Sequence, residues 1–183
     1  MYQFDAAITA WINTWAGHAS TIDSVMIGVS TAGVPLLVLA VVAQWWVPRA
    51  DPAIRHVLIA AGLSFLIGLG INQLILLFVQ RVRPYEAHVT HLIIDRTVDF
   101  SFPSDHATAS FAIAAAFLVH GLSRRGFWFL AAALLIGLSR VYLGTHYASD
   151  ILGGAATGFL AAGLVRLAYR ENTRLDRLVT GIL

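Results

Sequence analysis

The sequence predicts an all-α integral membrane bundle of five transmembrane helices with an amphipathic helix at its N-terminus. Composition is the first ground. Hydrophobic residues make up 58% of the 183 and charged residues 12%, and mean hydropathy is +0.74; a soluble domain is nearer about 45–50% and about 25%. The second ground is five apolar runs, each close to the roughly 20 residues that cross a bilayer core. These values exclude disorder and argue against a soluble enzyme. Length allows one domain, residues 1–183. The absence of cysteine removes a disulfide framework, a thiolate nucleophile and any cysteine metal site. The net charge of +2 is too small to suggest a nucleic-acid partner.

Each element follows from its own pattern. In Tyr2 to Ala16, Phe4, Ile8, Trp11 and Trp15 recur at spacings of three and four, one face of a helix. Tryptophan favours the membrane interface, so this helix is expected to lie at the surface. Span one runs from about Val25 to Val47, with a kink expected at Pro35. Span two is about His56 to Val79 and carries Asn72 and Gln73. Span three is about Ser104 to Leu122, span four about Gly126 to Leu143 and span five about Ser149 to Tyr169. Gly154 and Gly158 have the spacing that lets membrane helices approach closely, within the bundle or in a homo-oligomer. The one long loop, Gln80 to Pro103, is polar, and long loops in compact chains tend to be functional.

All the basic residues are arginines. Parity puts Arg49, Arg55, Arg124, Arg125, Arg166, Arg170, Arg174 and Arg177 on one side of the membrane. Arg81, Arg83, Arg96 and Arg140 fall on the other. The positive-inside rule assigns the richer side to the cytoplasm, and the long loop then faces outward.

Parity also gathers polar residues at that outer face. Arg83-Pro84 follows span two, Ser104-Asp105-His106 opens span three, Ser139-Arg140 closes span four, and His146 and Asp150 lead into span five. Ionisable groups at membrane depth are expensive and point to function. Arginine forks suit phosphate oxygens, and the first turn of span three offers free N–H groups to an anion. His146 and Asp150, four apart, share a helical face, so the carboxylate can hold Nδ1–H and leave Nε2 as base or nucleophile. His106 could donate a proton. Ser104 or Asp105 could equally cap span three. Zinc held by His88, His91, His106 and His146 is the competing idea, disfavoured because two nearby arginines repel a cation.

Arg83-Pro84, then Phe-Pro-Ser-Asp-His at 102–106, then Ser139-Arg140-x5-His146-x3-Asp150 resembles the three signatures of the type 2 phosphatidic acid phosphatase superfamily. These are integral lipid phosphatases related in fold to vanadium haloperoxidases, with a six-helix core. The resemblance covers about residues 56 to 168. Two positions depart from it. Leu76 stands where the first signature has lysine, with Arg81 as a partial replacement, and Asp105 stands where the second has glycine. The Ser-Asp-His form and the stretch Ala87-His88-x-x-His91 look most like bacterial undecaprenyl-diphosphate phosphatases of the bacitracin-resistance type.

The resemblance implies that His146 attacks the terminal phosphorus and forms a phosphohistidine, that Asp150 orients it, and that His106 protonates the leaving oxygen and then activates water. It implies that Arg83, Ser104, Arg140 and Ser139 hold the phosphoryl oxygens, with Asp105 modulating and Arg81 a possible contributor. No metal or other cofactor is implied. The expected partner is a membrane lipid carrying a phosphate or diphosphate, most of all undecaprenyl diphosphate, met at the outer face of a bacterial inner membrane. Phosphatidylglycerophosphate and phosphatidate are the alternative substrates. An anion or lipid-phosphate transporter is the alternative class, opposed by a polar set at one face rather than at the midplane.

Overall fold

The computed structural model describes residues 2–47 and 51–181. Seven α-helices appear among them: α1 Tyr2–Asn13, α2 Ser20–Ala43, α3 Pro52–Leu76, α4 Asp105–Val119, α5 Ser123–Tyr142, α6 Ala148–Ala168 and α7 Arg174–Thr180. A 3₁₀ turn, Gln44–Trp46, extends α2, which runs through Pro35 as one helix. Arg49, one of the arginines used for orientation, lies outside the described residues.

Four helices, α2, α3, α5 and α6, are long and apolar enough to cross a membrane. The expected span three, α4, has only 15 residues, about 22 Å of helix. Its environment explains the shortness. Every residue from Ala107 to Phe117 is buried, and α4 is packed by α3, α5 and α6. A helix apolar all round is a core element, and one surrounded by protein need not match the bilayer. The alanines of Ala112 to Ala116 let its neighbours come close.

The closest approach is between α4 and α6. A Cβ added at Gly158 would stand 2.7 Å from the Ala112 amide nitrogen and 2.8 Å from the Thr108 carbonyl oxygen. At Gly154 it would stand 2.6 Å from the Ser104 carbonyl. The small-residue pair therefore packs inside the bundle, against α4, and this contact fixes the N-terminus of α4 beside that of α6. The amide of Ser104 donates to the Asp150 carbonyl at 3.1 Å.

Two further elements frame the bundle. α1 packs on α5 and α6 at the end that carries the long loop. Its polar residues Thr9 and Asn13 are buried, and Phe4 and Trp11 are exposed, as is Trp15 in the turn that follows. The helix is thus amphipathic as expected, with its polar stripe turned into the protein. α7 was not expected. Thr173 caps it by accepting from the Asp176 amide. Buried Asp176 then accepts from Tyr169 Oη at 2.7 Å and pairs with His56 Nδ1 at 2.8 Å, which folds the tail back onto α3.

Gly158→Ala should destabilise the protein by about 1–3 kcal/mol, the usual cost of overpacking, because backbone cannot yield as a side chain can. Gly163→Ala, whose Cβ meets nothing within 4 Å, should be neutral or slightly stabilising. Thermal unfolding in one detergent compares the two.

Candidate active site

Four chain segments deliver the site. Arg83 follows α3, His106 lies in the first turn of α4, Arg140 in the last turn of α5, and His146 in the short connection to α6. Gly144 makes that connection possible. Its φ of +82° lets the chain reverse, and a Cβ there would meet the His91 carbonyl at 2.6 Å. The segments enclose a cavity of about 120 Å³ walled by Arg83, His106, Arg140 and His146, with Asp99, Asp105 and Leu76 at its sides.

The tautomer of His146 follows from its partners. Nδ1 lies 2.8 Å from the Ser101 carbonyl oxygen, which only accepts, so Nδ1 carries the proton. Nε2 lies 3.3 Å from Arg83 Nη1, which only donates, so Nε2 presents its lone pair. A buried imidazole is thereby fixed as an unprotonated nitrogen facing the cavity. Burial, helped by the charges of Arg140 and Arg83, holds His146 below the ordinary histidine range, against the pull of Asp150.

Asp150 does not have the direct role expected of it. Its Oδ2 stands 3.5 Å from His146 Nδ1, too long for the principal hydrogen bond. It accepts instead from the Tyr147 amide at 2.8 Å, from the Ser101 hydroxyl and from Arg81 Nη1 at 2.6 Å. Asp150 shapes the loop that holds His146, and Ser101 orients the ring.

The two arginines differ. Arg83 is almost fully committed: Nη1 to the Thr145 carbonyl at 2.8 Å, Nε to the Asp99 carbonyl at 3.0 Å, Nη2 to the Asp99 carboxylate at 2.8 Å. Partial burial alone would raise the Asp99 carboxyl, but Arg83 outweighs it and holds that group below the usual carboxylate range. Arg140 is only 6% exposed. Its Nη1 donates to Ser30 Oγ at 2.6 Å, its Nε has no partner, and no carboxylate pairs with it among the described residues.

The remaining candidates divide. Asp105 reaches the cavity and accepts from Asn72 Nδ2 at 2.7 Å. It does not cap α4. Ser104 does, accepting from the Ala107 amide, and it is fully buried and is not a cavity wall. Ser139 turns away and donates to the Ile136 carbonyl at 2.7 Å. Arg81 also points away, bonded to Asp5, Ser149 and Asp150, so it does not replace the signature lysine. Leu76 leaves that wall apolar. His91 lines a separate hollow beside α1 with Asn13 and His18, away from His106 and His146. Ser101, Asp99, Ser30, Asn72 and Asp5 were not foreseen. Only Ser101, three residues before Ser104, carried a signal, through its place beside a recognisable motif.

An unprotonated imidazole nitrogen, a second histidine from another helix and two guanidinium groups around a small cavity are a set of groups suited to phosphoryl transfer. Residues 57–174 match the PAP2 superfamily model, and the chain belongs to that superfamily: it is a multi-pass membrane phosphatase. It is 35% identical over 143 residues, 78% of this chain and 72% of the other, to undecaprenyl-diphosphatase BcrC of Bacillus subtilis. It is 36% identical over 106 residues, 52% of this chain and 50% of the other, to phosphatidylglycerophosphatase B of the same organism. The crystal structure of a transmembrane PAP2-type phosphatidylglycerolphosphate phosphatase from Bacillus subtilis superposes with a TM-score of 0.69 at 25% identity, covering 94% of this chain and 88% of that one.

The depressed His146 basicity has a kinetic consequence. A histidine that attacks phosphorus must be unprotonated, so with His146 in the role proposed below kcat/KM is expected to rise with pH as it loses its proton, at a pH below the ordinary histidine value. Asp150 favours the imidazolium, so Asp150→Asn should move this acid limb to still lower pH. Profiles of both enzymes on one substrate check the shift, because the ionisation of the substrate is common to both.

Proposed function

We propose that this chain hydrolyses the terminal phosphate of a membrane lipid diphosphate, with undecaprenyl diphosphate as its substrate, through a phosphohistidine on His146. The observation that carries the proposal is Arg140. A buried guanidinium without a counter-ion is costly, and a phosphoryl group in the adjoining cavity would supply the missing charge. The 35% identity to an undecaprenyl-diphosphatase supports the lipid chosen.

In the proposed reaction His146 Nε2 attacks the terminal phosphorus and the bond to the bridging oxygen breaks. His106, at the cavity wall, protonates that oxygen as it leaves. Arg140 and Arg83 hold the equatorial oxygens and stabilise the charge that develops on them. Water activated by His106 then attacks the phosphohistidine, releasing inorganic phosphate and restoring Nε2. Ser104 contributes by capping α4, whose N-terminus faces the same region. The electrostatic part often played by a metal falls to the arginines. All residues of the site belong to one domain spanning 1–183.

We place the cavity at the outer face of a bacterial inner membrane. Arg55, Arg124, Arg125 and Arg166 lie at the opposite end of the bundle from His146, and the positive-inside rule puts that end in the cytoplasm.

Purified protein should release phosphate faster from undecaprenyl diphosphate than from phosphatidylglycerophosphate or phosphatidate, measured in one detergent. Arg140→Ala should lower kcat/KM by about 100- to 1000-fold, the usual loss for one donor to a developing oxyanion. Preference for phosphatidylglycerophosphate would move the substrate assignment, and an active Arg140→Ala would refute the anion site.

Sidedness has its own test in a chain without cysteine. Cysteine introduced at Thr90 should react with an impermeant maleimide in intact cells, and cysteine at Ser123 only after lysis. The reverse pattern would turn the site to the cytoplasm.

A further inference from the structure

The surface helix α1 reaches the catalytic histidine loop through a chain of charged groups. Asp5 lies on its inward face. Asp5 Oδ1 accepts from the Ser149 amide at 2.9 Å, and Oδ2 accepts from the Ser149 hydroxyl at 2.5 Å and from Arg81 Nη2 at 2.6 Å. Arg81 forks between two carboxylates, since its Nη1 donates to Asp150 Oδ1 at 2.6 Å. Its guanidinium also lies over the Tyr147 ring, 3.8 Å from the centroid. Asp150 in turn holds the Tyr147 amide and the Ser101 hydroxyl, and the Ser101 carbonyl fixes the His146 tautomer. Ser149, Asp150, Tyr147 and His146 belong to one short segment, so this network sets the position of the loop.

We propose that Asp5 is a positioning residue for phosphoryl transfer, acting through Arg81 on Asp150 and so on the nucleophilic loop. The proposal rests on His146 as nucleophile. Three charges stand in line, Asp5 negative, Arg81 positive, Asp150 negative. Arg81 is shared, so Asp150 keeps part of its charge for the imidazolium that His146 becomes on protonation. Without Asp5, Arg81 would pair with Asp150 alone and neutralise it. Without Arg81, Asp150 would carry its full charge against the ring and lose its lateral anchor. The outward face of α1 carries Phe4 and Trp11, with Trp15 in the turn beyond it, all exposed, so the helix that positions the loop is also the one suited to the membrane interface.

The outer carboxylate and the central guanidinium of the network make opposite predictions, which a packing role would not. Asp5→Asn should lower kcat by roughly 10- to 100-fold, as loss of an outer partner of a site group commonly does, with KM little changed. Its acid limb in kcat/KM should move to lower pH, because Arg81, released from Asp5, then neutralises Asp150 beside His146. Arg81→Gln should lower kcat similarly but move the acid limb to higher pH, because Asp150 loses its counter-ion and bears more fully on His146. Arg81→Lys keeps the charge without the fork, so kcat should fall with the limb unmoved; it serves if Arg81→Gln does not fold. Asp5→Glu should restore most of the rate lost in Asp5→Asn. Folded variants with wild-type kcat, or with limbs shifted in the same direction, would overturn the proposal. His146→Ala is run beside them: turnover in that variant would remove the nucleophile assignment itself, an outcome distinct from failure of the Asp5 network.

Discussion

The site is organised around Asp150, a carboxylate with no exposed surface. A buried carboxylate is tolerated only when its oxygens are met by donors or opposite charge. Here they are met by a backbone amide, a hydroxyl and a guanidinium from three separated stretches of chain. Satisfying one anion therefore draws together the start of α6, the end of the long loop and the segment after α3. The close packing of Gly154 and Gly158 on α4 brings the fourth stretch, with His106, to the same level. His146, the proposed nucleophile, sits inside this junction, and its orientation is a by-product of how the oxygens of Asp150 are satisfied.

Much of this was legible in the sequence. The apolar runs located the spans because lipid requires length and hydrophobicity, and both are local properties. The segments supplying Arg83, His106, Arg140 and His146 were placed together by parity alone. What failed was direction. A residue at the right depth can face the cavity or turn from it, and Ser139 turns to its own helix carbonyl while Arg81 turns to Asp5. Helical spacing suggested that His146 and Asp150 share a face, but α6 begins at Ala148, so His146 stands outside it and finds a carbonyl instead. The tail helix and its buried His56–Asp176 pair escaped notice because neither residue belongs to a motif and they lie 120 positions apart.

The two arginines show how charge is apportioned in a small buried space. Arg83 is held by two backbone carbonyls and a carboxylate, so it is already near neutral balance. Its fork is rigid before any ligand arrives, which suits orientation more than attraction. Arg140 has one hydroxyl and an unpartnered Nε, so the unbalanced charge of the cavity sits there. Asp99 is already taken up by Arg83, Asp105 puts a further carboxylate at the wall, and Leu76 puts an apolar surface where the superfamily signature has a lysine. The attraction available to an anion is thus small in amount and concentrated at one guanidinium. A phosphate monoester or diphosphate terminus carries up to two charges, so it would be only partly neutralised on entry. In the proposed reaction the site then gains most as charge develops on the equatorial oxygens held by Arg140 and on the leaving oxygen that His106 protonates. That is the condition for holding the transition state more tightly than the substrate.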